Sequence, residues 1–588
     1  MKFLGNVLAV IVGLVIFSIL SFLLFFGLIG IIAASGEKEV KVQENSILHL
    51  NLNGRIIVER TSEDDLDLGP LGNPFGGVLQ AGMVNLKKAI REAKTNENIQ
   101  GIYLNSGLVM AGQANLLELR EELESFKESG KFIIAYDEAY SEGGYYLASV
   151  ADEVYLNPMG AVDFNGLASE VIFLKGFFEK VGIEPVVFRV GEFKSAVEPF
   201  ILDKMSPENR LQTEYFLEDI NQNMIQAVAE SRQVSLDSMQ LINDQMLVRR
   251  AQDAVDFHLV DKLTYEDEVH AILREKLGLE EDDEIRTINA TNLGSVAKSQ
   301  NLTSRNRIAV ILAEGEIVSG SSDGVISSDK FAKEIRNARK DDNIKAIVLR
   351  VNSPGGSILA SEVIWREMNE AKKVKPVIVS MGEVAASGGY YISAPADTIV
   401  AQPNTITGSI GIFGLWFNVQ ELINDKLGIT TDVVSTGELS DFMNVARPIT
   451  EVERTIMQNS VEEGYETFIS RVAEGRNMSP EAVKEVASGR VWTGNQAKER
   501  GLVDVLGGLD TAIEIAAAKI DAGDDFRVIY YPQPKPWFEK LMEDLSDNVQ
   551  TKILQARLGE LYPAYQNLEK VKNFEGIQAR MPQEIRIK

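Results

Sequence analysis

Two clusters of small residues in the second half of the chain could do acyl chemistry. Val351-Asn352-Ser353-Pro354-Gly355-Gly356-Ser357 follows directly on an apolar, strand-like run. Adjacent glycines let backbone N–H groups come close to a ligand, and such donors can form half of an oxyanion hole. Further on, Glu383-Val384-Ala385-Ala386-Ser387-Gly388-Gly389-Tyr390-Tyr391 puts a serine among small residues at a strand-to-helix turn. A serine at the N-terminus of a helix is expected to have an exposed Oγ, and the Gly388 N–H points where a second oxyanion donor is needed. The same serine could simply cap a helix; the Pro-Gly-Gly turn upstream favours a nucleophile.

A serine hydroxyl needs a base. The chain has three histidines, His49, His258 and His270, and none lies in the second half. His49 sits in the run Ile47-Leu48-His49-Leu50 and reads as a strand residue; the other two lie in or beside helix-like stretches. There are no cysteines, which excludes disulfides, thiolate nucleophiles and Cys-ligated metals. Lysine can serve when it is desolvated, because burial disfavours the ammonium. Lysines are many, so spacing does not choose among them. Lys194, flanked by Glu192 and Glu198, reads by itself as a surface lysine in an ion pair.

The elements that must position these residues come in two copies. Asn98-Ile99-Gln100-Gly101-Ile102-Tyr103-Leu104 matches Asn343-Ile344-Lys345-Ala346-Ile347-Val348-Leu349, and Glu142-Gly143-Gly144-Tyr145-Tyr146 matches Ser387-Gly388-Gly389-Tyr390-Tyr391. Gly191-Glu192-Phe193, Ala229-Glu230-Ser231-Arg232 and Leu259-Val260-Asp261 recur as Gly437-Glu438-Leu439, Ala473-Glu474-Gly475-Arg476 and Leu502-Val503-Asp504. Order and spacing are both kept, which indicates a tandem duplication. Each copy alternates strand and helix: Ile47–Leu52, Ile99–Leu104 and Phe132–Tyr136 in the first, Ile308–Leu312, Ala346–Val351 and Val377–Ser380 in the second. The pattern predicts an α/β fold of βαβ units with parallel strands. The expected domains are 45–290 and 305–525, with a polar junction from about Glu280 to Arg307. Asp64–Gly77 reads as an exposed loop, and 526–588 as a helical C-terminal extension whose apolar stripe includes Trp537 and Phe538.

The chain of 588 residues carries a formal net charge of −27, which disfavours nucleic acid as a partner. Val7–Ala34 is uncharged and long enough for the ~20 residues of a membrane-crossing helix. With Lys2 before it and Glu37 after it, 1–36 is expected to be a cytoplasmic tail and transmembrane anchor, with the rest exported. The small residues Ala33-Ala34-Ser35 could also imitate a signal cleavage site.

Asn352-Ser353-Pro354-Gly355-Gly356, Ala386-Ser387-Gly388-Gly389-Tyr390, Thr407-Gly408-Ser409-Ile410-Gly411-Ile412-Phe413-Gly414 and Gly191-Glu192-Phe193-Lys194-Ser195-Ala196-Val197-Glu198-Pro199-Phe200 together resemble the signal peptide peptidase A (SppA) family in its long, duplicated form. The similarity runs from about residue 45 to 520. It implies a ClpP/crotonase-like fold in both copies and a serine protease that degrades remnant signal peptides. Carried over residue by residue, Ser387 is the nucleophile, Lys194 the general base, Gly356 and Gly388 the oxyanion donors, and Ser409 the residue that orients the lysine. No cofactor and no metal are implied. The expected partners are apolar signal-peptide remnants, other extended peptides and the membrane. The expected assembly is a closed homo-oligomer, a homotetramer in the form envisaged. The implied location is the bacterial inner membrane, single-pass, with the catalytic domains on the periplasmic side. Within the duplication Lys194 aligns with Ser440, Ser387 with Glu142, Ser409 with Phe164, and Pro354-Gly355-Gly356 with Val109-Met110-Ala111. Each copy thus keeps one member of a Ser/Lys dyad, and one composite site is expected where a first half meets a second. Two other readings are an acyl-CoA enzyme of the same fold, with Glu383 as its carboxylate, and an inactive membrane scaffold.

Overall fold

The structure, a computed structural model, describes residues 12–21, 41–61, 79–296, 303–532 and 576–581. The first half builds a parallel sheet in the order Lys262–Leu263, Glu153–Val162, Phe132–Tyr140, Ile99–Asn105, Ser46–Asn51, Thr287–Asn289. In the second half the order is Val491–Thr493, Ile406–Gly408, Val377–Ala386, Ile344–Ser353, Arg307–Glu314, Arg527–Tyr531. Strands such as Ile344–Ser353 are covered on both faces, Ile347 and Leu349 packing to one side and Ala346 and Val348 to the other. This is why they read as continuous apolar runs rather than alternating ones.

The duplication extends to single hydrogen bonds. Lys131 Nζ donates to the Ala93 and Asn96 carbonyls, and Lys375 Nζ to those of Ala338 and Asp341. The Asp261 carboxylate accepts from the Val154 N–H, and Asp504 from Ile399. Tyr145 donates to the Leu259 carbonyl, and Tyr390 to that of Leu502. The helices Pro207–Arg232 and Glu451–Arg476 each have 26 residues, start on a hydroxyl cap (Ser206, Thr450) and stop at a left-handed Gln233 or Asn477.

Several boundaries differ from the sequence pattern. Within the stretch read as a junction, Thr287–Asn289 pairs with the first-half strand Ser46–Asn51, inside the 45–290 expected for that domain. In the expected helical extension, Arg527–Tyr531 is an edge strand on Arg307–Glu314, with Val528 and Tyr530 packed against the Leu509 cluster. Gly576–Arg580 is a strand as well, between Gly355–Ser357 and Ile412–Asn418. Trp537–Lys572 and the whole Asp64–Gly77 loop lie outside the described residues. So does most of the apolar Val7–Ala34 segment, of which 12–21 are helical with exposed side chains. The transmembrane helix is therefore not part of the architecture seen: among the described residues no helix is long and apolar enough to cross a membrane.

Two features lock the halves together. Glu184–Val190 leaves the first half and pairs antiparallel, residue for residue, with Ile412–Asn418 of the second. Elsewhere Arg350, 1% exposed, reaches from the second half to Glu59 and Glu118 of the first at 3.0 and 2.8 Å. Glu118 also holds Lys87 at 2.5 Å and accepts from the Leu509 N–H at 3.0 Å. Burial pushes the Glu118 carboxyl up, but Arg350 and Lys87 outweigh it and bring it down to about 2. At Glu59, burial wins and the carboxyl is raised.

Candidate active site

The strand Val377–Ala386 ends one residue before Ser387, and the helix Gly388–Ser393 starts one residue after it. The chain turns so sharply that Ser387 takes φ 56° and ψ −113°, a conformation costly for a side chain bearing a Cβ. The bond from the Ser387 N–H to the Gly408 carbonyl, at 2.8 Å, holds it there. The turn also puts Gly388 at the helix N-terminus, where the first N–H groups have no partner within the helix. Gly355 crosses so close to it that a Cβ on Gly355 would stand 2.6 Å from the Gly388 nitrogen. Next to it, Gly356 pairs with Ile317; a Cβ on Gly356 would stand 2.1 Å from the Ile317 oxygen. Glycine is required at both positions by close backbone approach.

Lys194 is delivered by the strand that the first half gives to the second. Glu184–Val190 stops at Gly191, whose φ of 101° starts a tight loop. Second-half residues grip that loop: the Phe193 N–H donates to the Ser488 carbonyl at 3.0 Å, and a Cβ on Gly489 would stand 2.7 Å from Lys194 Cβ. Gln212 ties both sides, donating to the Phe193 carbonyl and accepting from the Val491 N–H.

The lysine and the serine meet. Lys194 Nζ lies 2.8 Å from Ser387 Oγ, 3.0 Å from the Ser409 carbonyl and 3.1 Å from Ser409 Oγ. Lys194, Ser387 and Ser409 are each 0% exposed, so the Ser387 hydroxyl is enclosed rather than exposed as its place at a helix N-terminus suggested. Burial by itself holds the Lys194 ammonium well below the ordinary lysine range. The ion pair that the flanking glutamates suggested does not form. Glu192 is exposed, and Glu198 turns away to accept from Ser206 and Asn209. A neutral amine touching a hydroxyl, next to two close glycine N–H groups, can take the hydroxyl proton while the oxygen attacks a carbonyl.

The aligned positions in the other copy hold no such arrangement. Glu142 accepts from the Gly166 N–H and from Asn243, Phe164 is packed into the core, and Ser440 is exposed. Glu383, the carboxylate of the acyl-CoA reading, accepts from the Asn115 N–H of the first half, and burial raises it to about 7. The histidines stand elsewhere: His49 bonds Asn105 in the first-half sheet, His270 lies in the helix Glu266–Leu277, and His258 follows the helix Ala251–Asp256. Among the described residues no cluster could hold a metal ion.

Sequence reading missed Gly576–Arg580, which lies against the glycine strand. Its only signal is a brief alternation, Ile577 and Ala579 against Gln578 and Arg580.

The model of "Peptidase family S49" matches residues 125–280 and 369–522, once in each half, and that of "Clp protease" matches 299–406. Protease 4 of Salmonella typhi is 36% identical over 554 residues, covering 91% of this chain and 88% of that one. Protease 4 of Haemophilus influenzae is 34% identical, covering 90% and 88%. Serine protease SPPA, chloroplastic, of Arabidopsis thaliana is 32% identical, covering 92% of this chain and 78% of its own.

Proposed function

Since the chain belongs to peptidase family S49 and is a serine protease, we propose that Ser387 is its nucleophile and Lys194 its general base. The observation that carries this is the 2.8 Å contact between a buried amine, with no carboxylate partner among the described residues, and the serine hydroxyl. Neutral Lys194 takes the Oγ proton as Oγ bonds to the peptide carbonyl carbon. The carbonyl π electrons move to oxygen, where the Gly356 and Gly388 N–H groups receive the charge. One such donor is typically worth ~3 kcal/mol. The Lys194 ammonium then protonates the leaving nitrogen and the C–N bond breaks. Water, deprotonated by Lys194, attacks the acyl-enzyme, releasing the new carboxylate and restoring the serine. Ser409 keeps Nζ aimed through its carbonyl and its hydroxyl.

The substrates in this reading are remnant signal peptides and other extended, apolar peptides. The enzyme is held at the bacterial inner membrane by 7–34, faces the periplasm, and works as a homo-oligomer. The long uncharged N-terminal segment supports the anchor. A fluorophosphonate probe tests the site: mass spectrometry should find it on Ser387, more slowly in Lys194→Met. Labelling elsewhere, or full peptidase activity in Ser387→Ala, would sink the assignment. The acyl-CoA reading has less support, because Glu383 is committed to the backbone of the other half.

A further inference from the structure

A strand of the chain itself lies along the candidate site. Gly576–Arg580 runs antiparallel between two other strands, with Gly355, Gly356 and Ser357 opposite Arg580, Ala579 and Gln578, and with Phe413 and Gly414 opposite Gln578 and Ile577. The Met581 N–H donates to the Pro354 carbonyl at 2.7 Å, so 354 and 581 form a hydrogen-bonded pair. Antiparallel ladders alternate with a period of two, which makes Gly356 and Ala579 the next such pair, exchanging N–H···O=C bonds. The Ala579 oxygen also reaches Gly388: a Cβ on that glycine would stand 3.0 Å from it. One peptide carbonyl therefore stands at both glycines assigned above as oxyanion donors. That is where the carbonyl of a bond under attack belongs, and the bond in question is Ala579–Arg580.

The side chains around this bond are held in different ways. Ala579 is 0% exposed, within the apolar cluster of the second half. Arg580 is 8% exposed, and its guanidinium pairs with Glu316 at 2.5 Å. Glu316 immediately precedes Ile317, the residue that pairs with Gly356, so its carboxylate is fixed to the same strand system as the oxyanion glycines. A largely buried guanidinium–carboxylate pair is strong and selective, because an acidic side chain in the same place would meet an unpaired like charge.

Resting on the dyad reading above, we infer that the enzyme prefers a basic side chain immediately after the bond it cuts, and that Glu316 reads it. The strand Gly576–Arg580 lies in the groove as a substrate strand does, by β-augmentation.

The test uses the full chain in detergent and two peptides. One has the sequence of residues 576–583, Gly-Ile-Gln-Ala-Arg-Met-Pro-Gln; the other has Glu in place of its arginine. Both are followed by mass spectrometry in one tube, so the ratio of their kcat/KM values does not depend on how much enzyme is folded. The expected result is cleavage between Ala and Arg, with a ratio of tenfold or more in favour of the arginine peptide. The ratio should approach one in Glu316→Gln and invert in Glu316→Arg. A ratio near one in the unaltered enzyme, or one unchanged in Glu316→Arg, overturns the inference and leaves the pair as a fastening for the C-terminal strand. If neither peptide is cut while casein is cut in a Ser387-dependent way, the inference fails and the dyad stands. If Ser387→Ala still cuts casein at full rate, it is the dyad that fails.

Discussion

Lys194 Nζ touches Ser387 Oγ at 2.8 Å across 193 positions of sequence, and the two residues come from different copies of a duplicated fold. The contact exists because one copy lends a strand to the other. All seven residues of Glu184–Val190 pair with Ile412–Asn418, and Lys194 follows directly on that seam. Each copy is incomplete by itself: the first has an amine with no serine, the second a serine with no amine.

Losing either partner should stop turnover without unfolding the protein. In Ser387→Ala and Lys194→Met, casein hydrolysis is expected to fall by roughly a thousandfold or more, with the far-ultraviolet circular dichroism unchanged. The double variant should be no slower than the worse single one, because two residues acting as a unit are not additive. Additive losses would argue for separate roles.

The rate should climb with pH as Lys194 loses its proton, with a midpoint below the ordinary lysine range. Stability carries the same signature. On unfolding, Lys194 regains its ordinary, higher pKa and takes up a proton. Between the folded and unfolded values the unfolded state therefore binds more protons, and stability rises with pH by about 1.4 kcal/mol per unit. Lys194→Met removes this slope, so its melting temperature should exceed that of the unaltered enzyme by more at neutral pH than at alkaline pH. An equal difference at both would mean that the amine is charged in the folded state.

Ser409→Ala removes one of the three acceptors around Nζ and leaves the backbone carbonyl. A drop of about tenfold to a hundredfold in kcat, with KM little changed, is expected for a residue that aims the base. An acceptor favours the ammonium, so its loss should also move the alkaline limb of the pH profile to lower pH. A merely structural role would leave that limb in place.

Gly356→Ala drives a Cβ to within 2.1 Å of the Ile317 oxygen and must push the glycine strand away. A fall in kcat of about a hundredfold to a thousandfold is expected, the size associated with one lost oxyanion donor. Labelling of Ser387 by a small sulfonyl fluoride should survive better than peptide hydrolysis, since nucleophile and base are untouched.

Arg350→Met leaves Glu59 and Glu118 buried without their shared cation, an effect worth about 3–5 kcal/mol for a broken buried pair. The melting temperature should drop most near neutral pH. Glu118 contributes stability above its unfolded value and loses it only as pH falls through about 2, where the intact cluster keeps it. Without the arginine Glu59, already raised by burial, loses the guanidinium that lowers it and can protonate at mildly acidic pH, so the deficit should narrow between pH 7 and 4. Thermal melts across that range check the sign.

Sequence by itself determined the duplication, the parallel α/β class and the glycine–serine turns. These rest on local patterns: apolar runs long enough to be buried on both faces, glycines where backbone must pass close, and a serine among small residues at a strand end. It also distinguished the two copies, because Glu142 and Ser387 sit in otherwise matching phrases. It supplied Lys194 only through resemblance; flanked by Glu192 and Glu198, that lysine looks like a surface ion pair. The strand exchange, the Glu198 side chain turned toward Ser206 and Asn209, and the grip of Ser488 and Gly489 on the lysine loop are long-range contacts. No local pattern encodes them. The same holds for Gly576–Arg580, five residues whose alternation is too short to show which sheet they join. Tertiary structure alone decided which amine is stripped of water, because desolvation depends on everything packed around a group rather than on its neighbours in the chain.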